Sequence, residues 1–169
     1  MTMAYANFQN PEIIQGVAVF QGTLIKGTVH FTEKNDLVEI KVNLQGLPQG
    51  MYGFHIHEAG DLTDGCTSAC AHFNPYNKNH GCPGARERHV GDLGNVVFGA
   101  NKKAQYTVPD DQIKLRGYRC NIIGRSVVIH EKMDDCGFGE GSSRTESLKT
   151  GNAGARLACA VIGYSKHCK

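Results

Sequence analysis

Eight short runs, each alternating apolar with polar residues or rich in β-branched ones, limit what this chain can fold into. They lie at Gly16–Gln21, Lys26–Thr32, Leu37–Leu44, Met51–His57, Asn95–Phe98, Ala104–Val108, Ser126–His130 and Leu157–Ile162. A side-chain period of two belongs to a strand. No stretch carries a clear 3.6-residue apolar period, so any helix is expected to be short and to lie in a loop. Turn-forming clusters separate the runs, at Lys34-Asn35-Asp36, Gly46–Gly50, Pro109–Asp111 and Gly117. The 21 glycines fit a chain of strands and turns better than one of helices. The 169 residues are enough for one domain with a real core. No internal repeat or second domain is visible.

Two segments are too long and too polar to be simple turns. They run from Glu58 to about Gly94 and from Glu131 to about Ala155. Irregular segments of that length in a compact domain are usually functional or disordered. The first holds His72, His80, His89 and Asp92. It is flanked by an H-x-H pair, His55 and His57, at the end of one strand, and His130 closes another. Alternation along a strand puts His55 and His57 on one face. Six imidazoles and one carboxylate make seven ligands, whereas two four-coordinate ions need eight contacts. Seven suffice if one imidazole bridges through both ring nitrogens. Imidazole suits zinc and copper, and a ligand set without thiolate favours Cu(II) over Cu(I) storage.

Composition excludes other classes. The chain is 40% hydrophobic and 20% charged, with a formal charge of +2. It has no basic block and no aromatic-interleaved basic patch, so no nucleic-acid partner is expected. No apolar run reaches membrane-spanning length, so no membrane association is expected either. The first ten residues lack the basic and apolar regions of a secretory signal, and the expected location is cytoplasmic. The seven cysteines are Cys66, Cys70, Cys82, Cys120, Cys136, Cys159 and Cys168. An odd number leaves at least one thiol unpaired within a monomer.

A series of motifs now falls into place. They are Gly53-Phe54-His55-Ile56-His57-Glu58, Gly65-Cys66-Thr67-Ser68, His72-Phe73-Asn74-Pro75, His89 through Asn95, Gly124 through Lys132, Asp134-Asp135, and Lys149 through Cys159. In this order they resemble the copper/zinc superoxide dismutases over about Gly16 to Gly163. The resemblance implies an all-β, eight-stranded antiparallel Greek-key barrel, a flattened sandwich with two long functional loops, filling residues 1–169 after an N-terminal extension of about residues 1–10. It implies copper on His55, His57, His72 and His130, and zinc on His72, His80, His89 and Asp92, so that His72 is the bridging imidazole. Asp134 corresponds to the carboxylate that accepts hydrogen bonds from His55 and His80. Arg156 corresponds to the arginine that positions the anion beside copper, and Lys132, Lys149 and Thr150 to residues lining the channel. The implied reaction is dismutation of superoxide to dioxygen and hydrogen peroxide, in antioxidant defence. Arg156 and His72 act directly in it, and a copper chaperone is a candidate partner.

Cys66 and Cys159 match the family's intrasubunit disulfide. Cys70 and Cys82 stand where the family commonly has glycine, and Cys136 where it often has leucine. Cys70 lies two residues before His72 and Cys82 two after His80. A shared zinc would bring those flanks together, so these two are expected either to form a second disulfide or to stay unpaired, with Cys120, Cys136 and Cys168 reduced. Gly60, Ile123, Gly124, Arg125 and Gly163 match the family's dimer contacts, which implies a homodimer, although Tyr164 stands where isoleucine is usual.

Overall fold

The structure, a computed structural model, describes residues 13–165. The N-terminal extension and Cys168 fall outside that range. Eight strands follow one another as β1 (Ile14–Gln21), β2 (Lys26–Lys34), β3 (Leu37–Gln45), β4 (Gly50–His57), β5 (Asp92–Phe98), β6 (Lys103–Asp110), β7 (Ser126–His130) and β8 (Arg156–Tyr164). All the expected runs are strands. The one α-helix among the described residues, α1 (Arg144–Thr150), is short and lies in the second long loop, as the missing 3.6-residue period requires.

The strands pair antiparallel in the order β5-β4-β7-β8-β1-β2-β3-β6. The connections β3→β4 and β6→β7 each cross from one half of this order to the other, which makes a Greek key. The two end strands, β5 and β6, are joined by a tight turn in which Gly99 N–H donates to Lys103 O and Lys102 N–H to Gly99 O, 2.9 Å each. The barrel is therefore nearly closed, and few strand edges are left open to other chains.

Alternation decides which side chains enter the core. Along β3, Val38, Ile40, Val42 and Leu44 are buried and their neighbours exposed. Phe31, Phe54, Ile56, Phe98, Val127 and Ile129 join them inside. Each such side chain contributes about 1.5–3 kcal/mol through its removal from water. Since Phe54 and Ile56 point inward, His55 and His57 point to the outer face of the barrel. Yet every residue of β7 and the last five of β4 are buried. The two long loops cover this outer face, and the histidines lie beneath them.

Two disulfides fix those loops. Cys66–Cys159, with Cα atoms 5.7 Å apart, ties the first loop to β8. A bridge spanning about ninety residues stabilises by roughly 4–5 kcal/mol in the chain-entropy model. The second bridge differs from the expectation. Cys82 pairs with Cys136, Cα atoms 4.7 Å apart, and Cys70 is an exposed free thiol. Cys70 ends the 3-10 turn Thr67–Ala69 at φ 65°, with its Sγ directed to Ser68 O at 3.5 Å. Its carbonyl faces the site and its side chain faces solvent. The partner that reaches Cys82 comes with Asp134, which hydrogen-bonds His80 and precedes Cys136 by two residues.

Candidate metal centre

Strand register assembles the site. His55 on β4 pairs with Asp92 on β5 and with Val128 on β7. His130 on β7 pairs with Arg156 on β8. The β4–β5 ladder is irregular between Gly53 and His55, and the β7–β8 ladder between Ile129 and His130. Bulges of this kind re-aim side chains. An isolated bridge between His57 and His72 lays the first long loop back over β4. At Gly53 a β-carbon would come within 2.7 Å of the Ala153 side chain and 3.2 Å of His130, so only glycine admits the second loop here.

Four of the six imidazoles, His55, His57, His80 and His130, use one nitrogen for a hydrogen bond outside the ligand groups, and this fixes the role of the other. His57 Nδ1 donates to Cys70 O at 2.8 Å and His130 Nδ1 to Gly154 O at 3.1 Å. His55 Nε2 donates to Asp134 Oδ2 at 2.8 Å, and His80 Nε2 to Asp134 Oδ1 at 2.7 Å. In the neutral rings the opposite nitrogens carry lone pairs. His57 Nε2 and His130 Nε2 face each other at 3.2 Å. His55 Nδ1, His72 Nε2 and His80 Nδ1 are buried without a hydrogen-bond partner. His80 Nδ1 lies 2.9 Å from Asp92 Oδ1, but without hydrogen-bond geometry. Converging lone pairs in a water-poor site repel unless a cation sits among them.

The donors form two four-membered groups that share His72: His55, His57, His72 and His130, and His72, His80, His89 and Asp92. In the second group Asp92 Oδ1 lies 2.9 Å from His72 Nδ1, 2.9 Å from His80 Nδ1 and 3.1 Å from His89 Nδ1. His72 and His89 Nδ1 atoms are 3.4 Å apart. Metal–nitrogen bonds of about 2.0–2.1 Å in a tetrahedron give edges of about 3.3–3.4 Å, close to these spacings. The second group fits a tetrahedral ion, and the first gathers four imidazole nitrogens within 4.8 Å of one another. His55, His80 and Asp134 also cluster. Their hydrogen bonds are already satisfied, and their lone pairs point away to the two other groups.

Electrostatics agrees with this division. Burial, reinforced by neighbouring His72, holds the pKa of His57 down to about 2 and that of His55 to about 3. Burial likewise brings His130 to about 4. These rings are neutral and ready to ligate at neutral pH. For His80 burial also disfavours charge, but the Asp134 and Asp92 carboxylates outweigh it and raise the pKa to about 9. Burial opposes ionisation of Asp134, yet hydrogen bonds from His55 and His80 hold it at about 2. Asp92 is likewise held far below the carboxylate range by the three histidines around it, against its burial. A cation held by this second group would take over the neutralising role of the His80 proton.

The family profile described as copper/zinc superoxide dismutase (SODC) matches residues 25–162. This chain belongs to that family. It is 53% identical over 167 residues to "Superoxide dismutase [Cu-Zn]" of Paramecium bursaria Chlorella virus 1, covering 98% of this chain and 87% of the relative. It is 50% identical over 141 residues to "Extracellular superoxide dismutase [Cu-Zn]" of Brugia pahangi, covering 83% and 70%. The crystal structure of the clock protein EA4 superposes with a TM-score of 0.84 at 46% identity, covering 96% of this chain and 99% of that one. Members of the copper/zinc superoxide dismutase family use copper and zinc to dismute superoxide to dioxygen and hydrogen peroxide, and this chain is such an oxidoreductase.

In this dismutase a cavity of about 600 Å³ opens onto His57, His72 and His130, and Lys132, Lys149, Thr150 and Arg156 line it. Arg156 donates from Nη1 to Cys66 O at 2.6 Å and Thr67 O at 3.2 Å, and from Nη2 to Cys70 O at 2.5 Å. Cys70 O thus holds both His57 and Arg156. Several contributors carry no distinct signal in the sequence. Glu146 also lines the cavity, and its carboxylate accepts from Thr150 Oγ1 at 2.7 Å. Asn95 clamps the Asp134 main chain, accepting from its N–H at 2.8 Å and donating to its carbonyl at 3.0 Å. Buried Arg88 ties Asp92 O to Asp110 Oδ2, 2.6 Å each. Its setting, Arg86-Glu87-Arg88, reads as solvated charge. No helix of the described residues is long and apolar enough to cross a membrane.

Proposed function

We propose that His55, His57, His72 and His130 hold the copper, that His72, His80, His89 and Asp92 hold the zinc, and that superoxide reaches them past Arg156. The observation that carries this is the pair of facing lone pairs on His57 and His130, 3.2 Å apart at the floor of the cavity. Bound copper supplies one-electron redox cycling, and bound zinc supplies charge without redox change. Two superoxide anions and two protons give one dioxygen and one hydrogen peroxide, one anion losing the electron that the other gains. His72 Nε2, buried and without a partner, holds one of those protons. Arg156 orients the anion: three hydrogen bonds from its two terminal nitrogens to backbone carbonyls hold its guanidinium in place, and its Nε–H is not among them. Lys132 and Lys149 add attraction at longer range, opposed by Glu146.

Arg156→Ile tests this role. With metal content unchanged, kcat/KM is expected to fall roughly tenfold or more and its dependence on ionic strength to flatten. A variant that keeps both the rate and the salt slope would reduce Arg156 to a structural clamp.

The same proposal includes a homodimer built on Gly60, Ile123, Gly124, Arg125 and Gly163. Val161 and Tyr164 leave apolar surface beside these residues, 40% and 65% exposed. Gly60 backs directly onto the Gly124 carbonyl, and Arg125 donates to Glu58 O at 2.6 Å, which packs these segments together. Sedimentation at micromolar concentration is expected to give twice the chain mass, and a monomer mass would refute the dimer. A cytoplasmic location is supported by the exposed reduced thiol of Cys70. Loading by a copper chaperone is supported by the complete burial of His55. Fractionation of the source cells, with copper content measured in each fraction, checks both.

A further inference from the structure

The Cys82–Cys136 bridge joins the two long loops just behind the zinc-side ligands, and the site chemistry described so far does not use it. Cys82 follows His80 by two residues, and Cys136 follows Asp134 by two. Between them lies the hydrogen bond from His80 Nε2 to Asp134 Oδ1, 2.7 Å. The same oxygen accepts from Cys136 N–H at 2.7 Å. His80 N–H donates to Leu148 O at 2.8 Å. Gly137, at φ 79°, lies so close to His80 O that a β-carbon would approach within 2.7 Å. Apart from the Cys136–Asp134 hydrogen bond, which lies within the second loop, these contacts run between loops that no strand ladder holds together. Loop contacts of this kind open locally at far lower cost than a barrel unfolds.

We propose that the Cys82–Cys136 disulfide is a clip that keeps Asp134 on His80, slowing zinc escape and holding the second loop over the channel when metal is absent. The inference rests on the zinc assignment made above. A covalent link two residues from each partner keeps their effective concentration high whether or not an ion is bound. An ion can leave only when a ligand turns away. The clip opposes that motion at His80 because the orienting carboxylate cannot depart with its loop. Cys66–Cys159 does not duplicate this, since it ties the first loop to β8 and leaves the second loop free.

The test uses fully metallated Cys82→Ser/Cys136→Ser protein, which leaves neither bridge partner as an unpaired thiol, and a second pair, Cys82→Gly/Cys136→Leu. Zinc release into a chromophoric chelator is expected to be at least about tenfold faster in both pairs, the scale of losing an orienting contact at a metal site. In metal-free protein, amides of residues 132–155 are expected to lose hydrogen-exchange protection while those of β1–β3 keep theirs. Native zinc release with native loop protection in either folded pair overturns the clip. Loss of protection throughout the barrel also overturns it, because the bridge would then be a general stabiliser. His80→Ala separates the two readings. Zinc retained there refutes the ligand assignment, whereas zinc lost there but released normally from the cysteine pairs refutes the clip alone.

Discussion

Replacing His130 with alanine is expected to abolish dismutation and copper binding while one zinc per chain remains. His130 supplies one of the four nitrogens on the cavity side, 3.2 Å from His57 Nε2, and its ring is aimed by the Gly154 carbonyl. Its loss leaves three imidazoles and opens the floor of the channel to water. The fall should exceed the roughly 10–100-fold that losing an outer hydrogen-bond partner costs a metal site. The zinc group contains no atom of His130, and Asp134 connects His55 to His80 without it. Elemental analysis and a superoxide assay on the purified variant check both halves. Full activity would sink the copper assignment. Parallel loss of zinc would show that the two groups do not bind independently.

Legibility in the sequence followed periodicity. Unbroken alternation places β3 at Leu37–Leu44, and the strand ends one residue later. β7 matches its reading from Ser126 to His130. β5 begins at Asp92 rather than Asn95, because Asp92 pairs with His55 across a bulge that no local pattern announces. The histidines could be recognised because ligands cluster in the chain as well as in space. Contacts between loops have no period and left no such trace. Contacts from a strand to a loop or within a loop leave none either, as with Asn95 of β5 clamping Asp134 and Ser147, fully buried within the second loop. The second disulfide is the instructive miss. A shared ion would draw the flanks of Cys70 and Cys82 together, which leaves a bridge between them or two unpaired thiols as the expected outcomes, with Cys136 reduced. The His80–Asp134 hydrogen bond does the drawing instead, and Cys136 follows Asp134 by two residues, as Cys82 follows His80. The cue was present in the carboxylate, and the ion was the wrong place to look for it.

That carboxylate is also where one atom changes most. In Asp134→Asn the side chain keeps one acceptor oxygen and gains an amine donor. The Oδ1 position accepts from both His80 Nε2 and Cys136 N–H, so the oxygen is expected to stay there. The amine then faces His55 Nε2, 2.8 Å away in the native protein. Two donors cannot share that contact, so His55 must move its proton to Nδ1, the nitrogen that faces the copper group. Copper affinity is expected to fall roughly 10–100-fold, with a smaller loss of zinc through the lost charge beside His80. Asp134→Leu removes both hydrogen bonds and is expected to weaken both metals. Competition titrations with chelators of known affinity read the two sites separately. Native copper affinity in Asp134→Asn would show that His55 does not depend on this carboxylate for its tautomer. Zinc falling more than copper would place the amine against His80 instead.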